Sequence, residues 1–354
     1  MRLAFILYQL HIICYGTTIK ADDEVILSGK HQKVGAIDVI WQTSTSEPVG
    51  VIFLAHGCAH SATDWFPQSI SCPTCIGLPV EMTIVSEVLK RGYVAVASSS
   101  IDRMKKCWTN NDVQHVASVL EHIYSTLKLD KYKVPLYGLG ASSGGYFVSM
   151  FSNQASQFGF KVSAICMQIS ALFTPDPTTP PVIFVHMAKD RLLAIHINDL
   201  VDKLVKLGVP AEQYPCRPKV ITDTYFYDHY HALSLSESLS LVHQLKDVGM
   251  ISKSSGLLSV DPLLRDWVPH AEKALPGHTD PLINDISPVF ELMKLAWAEH
   301  EITSDFLTET FDFFRRNRPE TAIPIPDKYL IREREKESDS AVQERERERE
   351  RNKK

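Results

Sequence analysis

Residues 138 to 146 read Gly-Leu-Gly-Ala-Ser-Ser-Gly-Gly-Tyr and follow a short apolar run, Val134-Pro135-Leu136-Tyr137, that has the character of a buried strand's end. Within them, Gly140-Ala141-Ser142-Ser143-Gly144 has the G-x-S-x-G spacing that sets a serine on a sharp strand-to-helix turn. Glycine is needed on both sides because the tight backbone leaves no room for a Cβ there. A hydroxyl displayed in this way can attack a carbonyl if three further groups converge on it. It needs a base within hydrogen-bond reach, an acid to hold that base, and N–H donors for the oxyanion that develops.

The sequence offers a candidate for each role. Asp190 follows the apolar run Pro181 to His186 through Met187-Ala188-Lys189, at the sheet edge where functional groups of open α/β sheets collect. It also has the position of an N-cap for the helix that follows. For the base, His300 stands just before the last helix and keeps the chain order Ser, Asp, His. His231 and His229, in Tyr227-Asp228-His229-Tyr230-His231, lie nearer the last predicted strand and are the alternatives. The backbone N–H groups of Gly57 and Cys58, after the strand ending Leu54-Ala55-His56, and that of Ser143 are the expected oxyanion donors. His56 is expected to shape this loop and to face the substrate. His186, His196, His243, His270 and His278 are read as structural.

These residues must be positioned by a regular framework, and the hydrophobic pattern supplies one. Ile37 to Trp41, Val49 to Ala55, Tyr93 to Ala97, Val162 to Ile169 and Pro181 to His186 are rich in β-branched and aromatic residues and read as strands. A further short strand lies around Glu212 to Cys216. Between them, Glu81 to Lys90, Asp112 to Lys128, Gly145 to Ser152 and Ile197 to Leu207 have helical spacing. Uniformly apolar strands alternating with helices predict an α/β fold with a mainly parallel sheet and helices on both faces. The stretch 217–298 breaks the rhythm with mostly helical, Pro- and Ser-punctuated sequence, and is expected to be an insertion or lid before the last helix.

The bulk properties of the 354-residue chain narrow the class. Its net charge of −5 and 44% hydrophobic content fit a globular protein with a real core and leave no electrostatic footprint for nucleic acid. Residues 1–21 open with one arginine and an apolar run too short to span a bilayer, and are read as a signal peptide that directs the chain to the secretory pathway. The folded domain is then 22–318. Six cysteines remain beyond the leader, with Cys58, Cys72, Cys75 and Cys107 clustered in loops where at least one disulfide is expected. The tail 319–354 ends in Arg-Glu repeats with almost nothing apolar to bury, and is expected to be disordered or a solvated helix. No metal or organic cofactor is implied.

Taken together, the chain resembles the α/β-hydrolase superfamily and, within it, a little-characterised plant-type branch. The resemblance rests on Val49 to Cys58, His60 to Trp65, Cys72 to Pro79, Cys107-Trp108, Gly140 to Gly144 and His300 to Ser304, and spans roughly residues 37 to 316. It implies a serine hydrolase acting on a small-molecule or lipid ester, with the triad mapped onto Ser142, Asp190 and His300. The long stretch between acid and base departs from the usual short spacing. A non-catalytic, ligand-binding or receptor-like protein of the same fold is the alternative.

Overall fold

The computed structural model describes residues 25–329 apart from 172, 265 and 278–281. The expected leader and the charged repeats of the tail lie outside the described residues. Eight strands form one sheet: β1 (Lys30–Val34), β2 (Ile37–Thr43), β3 (Val51–Ala55), β4 (Val94–Ser98), β5 (Leu136–Ala141), β6 (Val162–Gln168), β7 (Val182–Met187) and β8 (Ala211–Cys216). Nine described helices accompany them: α1 (Pro79–Lys90), α2 (Asp112–Thr126), α3 (Ser143–Gln154), α4 (Arg191–Lys206), α5 (Tyr225–His229), α6 (Leu235–Asp247), α7 (Val268–Ala274), α8 (Pro288–Trp297) and α9 (Leu307–Arg316).

The strand order is β1-β2-β4-β3-β5-β6-β7-β8. Pairing is antiparallel from β1 to β2 and from β2 to β4, and parallel from β4 through β8. Every residue of β3, β4, β5, β6 and β7 is buried, as expected of strands covered on both faces. On one face α2, α3 and α4 close the core with Val116, Leu120, Phe147, Phe151, Leu200 and Leu204. On the other, Ile84 and Val88 of α1 and Phe311 and Phe314 of α9 do the same. Each such side chain contributes about 1.5–3 kcal/mol through burial. An eight-stranded, mostly parallel sheet covered on both faces, with a serine on the turn after β5, is the architecture of the α/β-hydrolase fold.

Two elements differ from the sequence reading. Strand β1, Lys-His-Gln-Lys-Val, is polar and half-exposed, and pairs on one side only, so it carries no hydrophobic signature. Helix α4 begins at Arg191, directly after Asp190, because its first turn is exposed on most sides and only Ile197, Leu200 and Leu204 bury. The stretch between β8 and His300 contains α5 to α8, and Leu241, Trp267 and Phe290 from it join the core cluster that α1 and α9 complete.

Cys58 bonds Cys107, and Cys72 bonds Cys75, while Cys166 and Cys216 are buried free thiols. No helix among the described residues is long and apolar enough to cross a membrane.

Candidate active site

The turn between β5 and α3 forces Ser142 into φ 53°, ψ −116°, a conformation that costs an ordinary L-residue on the order of 1–3 kcal/mol. The surroundings hold it there. The Ser142 N–H donates to the Gln168 carbonyl at 2.9 Å, and Ser142 O accepts from the Tyr146 N–H at 3.1 Å. The flanking glycines are required by contact: a Cβ on Gly140 would strike the Gly144 carbonyl, and one on Gly144 would strike the carbonyl of Ala55.

Helix α8 ends at Ala298 in the left-handed conformation, φ 59°, ψ 54°, which turns the chain back toward the strand ends. Three hydrogen bonds to its backbone then secure the segment that carries His300. The Lys189 N–H donates to Ala298 O at 3.0 Å. The side chain of buried Gln168 donates to Thr303 O at 2.9 Å and accepts from the Thr303 N–H at 2.8 Å. The result is that His300 Nε2 lies 3.1 Å from Ser142 Oγ, and Nδ1 lies 3.4 Å from Asp190 Oδ2. The other oxygen of Asp190 accepts the Leu193 N–H at 3.2 Å and caps α4, so this carboxylate contacts both His300 and the start of that helix. A carboxylate facing Nδ1 favours the tautomer with its proton there, leaving Nε2 able to take the hydroxyl proton.

Ser143 is the first residue of α3, so its N–H has no acceptor within the helix. Gly57 and Cys58 line a cavity beside Ser142 together with His300. His56 departs from the expectation that it faces the substrate: it is 1% exposed and lines neither cavity at Ser142. Its Nε2 accepts the Ser100 N–H at 3.1 Å, which puts the ring proton on Nδ1, and Nδ1–H donates to Gly57 O at 2.6 Å. Because a trans peptide points its C=O and N–H in opposite directions, fixing Gly57 O fixes the aim of the Cys58 N–H. The Trp108 indole N–H adds a bond to His56 O at 2.8 Å. Burial lowers the His56 pKa to about 4, against the raising effect of its bond to Gly57, so the ring is neutral.

Two cavities meet at Ser142 and His300. One, of about 600 Å³, has an apolar wall that includes Tyr146, Ile169, Ala171, Leu192 and Leu193. The other, of about 230 Å³, is lined by His60, Glu81, Asp285, Lys294 and Glu301 besides Gly57 and Cys58. Its polar side chains pair with one another. His60 Nδ1 is 3.0 Å from Asp64 Oδ2, and Lys294 Nζ is 2.7 Å from Glu301 and 3.4 Å from Asp285. Burial disfavours a charged His60, but the hydrogen bond to Asp64 and the charges of Asp64, Glu81 and Glu301 outweigh it and raise its pKa to about 9. Glu81 is pushed well above the ordinary carboxyl range by burial and by the charge of Glu291.

His229 and His231 are both exposed, and neither lines the cavities at Ser142; His229 Nδ1 is instead 2.7 Å from Tyr225 O. Cys72 and Cys75 are bonded to each other, and no group of three or more His, Cys, Asp or Glu among the described residues is arranged to hold a metal ion. Gln168 and Lys294 were not singled out by the sequence, and His60 was quoted only within a motif, without a role. A glutamine in a strand that is otherwise apolar except for Ser163, Val162 to Gln168, was the one available signal, because a buried amide needs partners.

No protein-family model matches the chain, and the search of curated proteins found no match. Among solved structures, a bacterial heroin esterase matches at 15% identity over 56% of this chain and 77% of that one, with a TM-score of 0.40. An S-formylglutathione hydrolase from Staphylococcus aureus matches at 14% identity over 55% and 88%, with a TM-score of 0.39. A hyperthermophilic esterase from the archaeon Pyrobaculum calidifontis matches at 13% identity over 55% and 78%, also with a TM-score of 0.39.

Proposed function

We propose that this protein is a serine hydrolase of the carboxylesterase or lipase-like kind, cleaving an ester or related acyl bond of a small-molecule or lipid substrate. The observation that carries the proposal is the 3.1 Å approach of His300 Nε2 to the oxygen of Ser142, whose backbone is held in a strained turn. In this mechanism Ser142 Oγ attacks the carbonyl carbon while His300 takes its proton, and Asp190 orients the ring and stabilises the imidazolium. The N–H groups of Cys58 and Ser143 receive the oxyanion, and His56 and Trp108 fix the loop that presents the first of them. His300 then protonates the departing alcohol. Water, deprotonated by the same imidazole, releases the acyl group and restores Ser142. Loss of one oxyanion donor in such a site costs roughly two to three orders of magnitude in turnover.

The two disulfides suit an oxidising compartment, and we place the activity in the secretory pathway or outside the cell.

The test is labelling by a fluorophosphonate probe together with p-nitrophenyl butyrate hydrolysis. We expect wild type to be labelled at Ser142 and to turn over. Ser142→Ala should lose both, and His300→Ala should lose at least 10³-fold in turnover. His231→Ala should behave as wild type. Labelling that persists in Ser142→Ala, or an inactive His231→Ala beside an active His300→Ala, refutes the assignment.

A further inference from the structure

The reading of Ser142 as an acyl-transfer nucleophile leaves the chemistry of the substrate open, and the two cavities bear on it. They share Ser142, Ile169 and His300 and otherwise have different linings, so the two arms of an ester reacting there can meet different walls. The larger space is walled by apolar side chains and is open, with Leu192 83% exposed at its edge. The smaller one, about 230 Å³, has room for roughly nine non-hydrogen atoms if benzene fills a cavity of about 150 Å³.

The wall of that smaller chamber is unlike the usual apolar lining of a ligand pocket. Its charges form an alternating chain. Asp64 holds His60, Asp285 lies 3.9 Å from His60 and 3.4 Å from Lys294, and Glu301 holds Lys294. Both cations are therefore already engaged by carboxylates. Behind this chain Glu81, on the wall, hydrogen-bonds Glu291, a contact that requires one proton between the two carboxyls. Five carboxyl groups thus face two cationic ones, and the negative charges still exceed the positive by one when both raised carboxyls, Glu81 and Glu291, are protonated. Glu81, Glu291 and Glu301 are each no more than 5% exposed, so solvent screens this excess poorly.

From this we infer that the protein selects esters with one apolar arm and one short arm ending in a positively charged, hydrogen-bond-donating group, an ammonium, and that the chamber bounded by Glu81, Asp285 and Glu301 excludes a carboxylate-bearing arm. An ammonium adds donors where the wall has acceptors and lowers its net charge. An anionic arm would have to break Lys294 or His60 away from an existing partner.

The inference rests on the hydrolase reading, and the experiment separates the two. Hexyl esters of β-alanine, butanoic acid and succinic acid present an ammonium, a methyl and a carboxylate at matched positions. A reversed series keeps the hexanoyl group and varies the alcohol among 3-aminopropanol, butanol and 4-hydroxybutanoate. Acid release is followed by pH-stat. In at least one series the cationic ester should exceed the neutral one at least tenfold, and the anionic one at least a hundredfold, in kcat/KM. Asp285→Asn should narrow the cation-to-anion ratio at least tenfold, with its folding checked by circular dichroism. In the wild type, propylammonium should slow fluorophosphonate labelling of Ser142 while propionate does not, which tests the chamber without any variant. Labelling of Ser142 without charge selectivity in either series, or with carboxylate preferred, overturns this inference alone. Absence of labelling overturns the hydrolase reading and this inference with it.

Discussion

Gln168 joins two segments that are remote in sequence: its carbonyl holds the backbone of Ser142, and its side-chain amide brackets Thr303 with a donor and an acceptor. It touches neither reacting atom, yet it sets the distance between them. Gln168→Leu leaves two buried backbone groups of Thr303 without partners, which costs about 1–3 kcal/mol for each unsatisfied group. We expect kcat to fall about tenfold to a hundredfold, since a displacement near 1 Å of a reacting group has that effect, while KM changes little. Gln168→Glu keeps the acceptor and should recover part of the loss; steady-state kinetics on both variants distinguish positioning from general destabilisation. At this scale the sequence singled out Ser142 and His300, which the fold brings to 3.1 Å, and was silent about their supports. Ser142 is marked by a five-residue pattern with a steric cause, and His300 by chain order. The role of His56 could not be read, because a histidine beside a glycine in a loop looks the same whether it faces a ligand or holds a carbonyl from behind.

At the scale of elements, the site depends on two unusual turns. The turn after β5 brings α3 so close to β3 that Gly144 contacts the carbonyl of Ala55. Gly144→Ala should therefore destabilise the fold by about 1–3 kcal/mol and abolish labelling of Ser142, because the turn can relieve the contact only by rotating the serine away. The other is the left-handed end of α8. Ala298 is fully buried there, and Ala298→Val should cost about 1–3 kcal/mol through its β-branch and reduce turnover by moving His300, whereas Ala298→Gly should keep activity. Thermal unfolding monitored beside esterase rate tests both. The central strands were legible because burial on both faces makes them uniformly apolar, as in Val51 to Ala55 and Val94 to Ala97. Strand β1 was not, since Lys30, His31, Gln32 and Lys33 pair through the backbone and need no apolar side chain to do so.

For the molecule as a whole, two histidines set opposing limits on the pH range of stability. The folded-state pKa of His60 is raised to about 9 from an ordinary 6.5, so its contribution is complete below pH 6.5 and is lost as pH rises through 9. That of His56 is lowered to about 4 from the same 6.5, so its contribution is complete above pH 6.5 and is lost as pH falls through 4. Each difference of about 2.5 pH units corresponds to roughly 3 kcal/mol. The raised carboxyl of Glu81 opposes His56 below pH 6.5 and adds to His60 above it, so stability is expected to fall between pH 6.5 and 8.5; urea unfolding at pH 4.5, 6.5 and 8.5 measures it. His60→Gln should flatten the alkaline side only. A midpoint that stays constant across this range would contradict the buried pairing of His60 with Asp64.

The distance along the chain between Ser142 and His300, 158 residues, has a temporal meaning as well. At translation speeds of about 5–20 residues per second, the serine emerges roughly eight to thirty seconds before its imidazole exists. Throughout that interval the nascent polypeptide carries a hydroxyl with no proton acceptor opposite it. On the proposed mechanism, reactivity must wait until His300 has been made, and the order of synthesis itself acts as a form of latency.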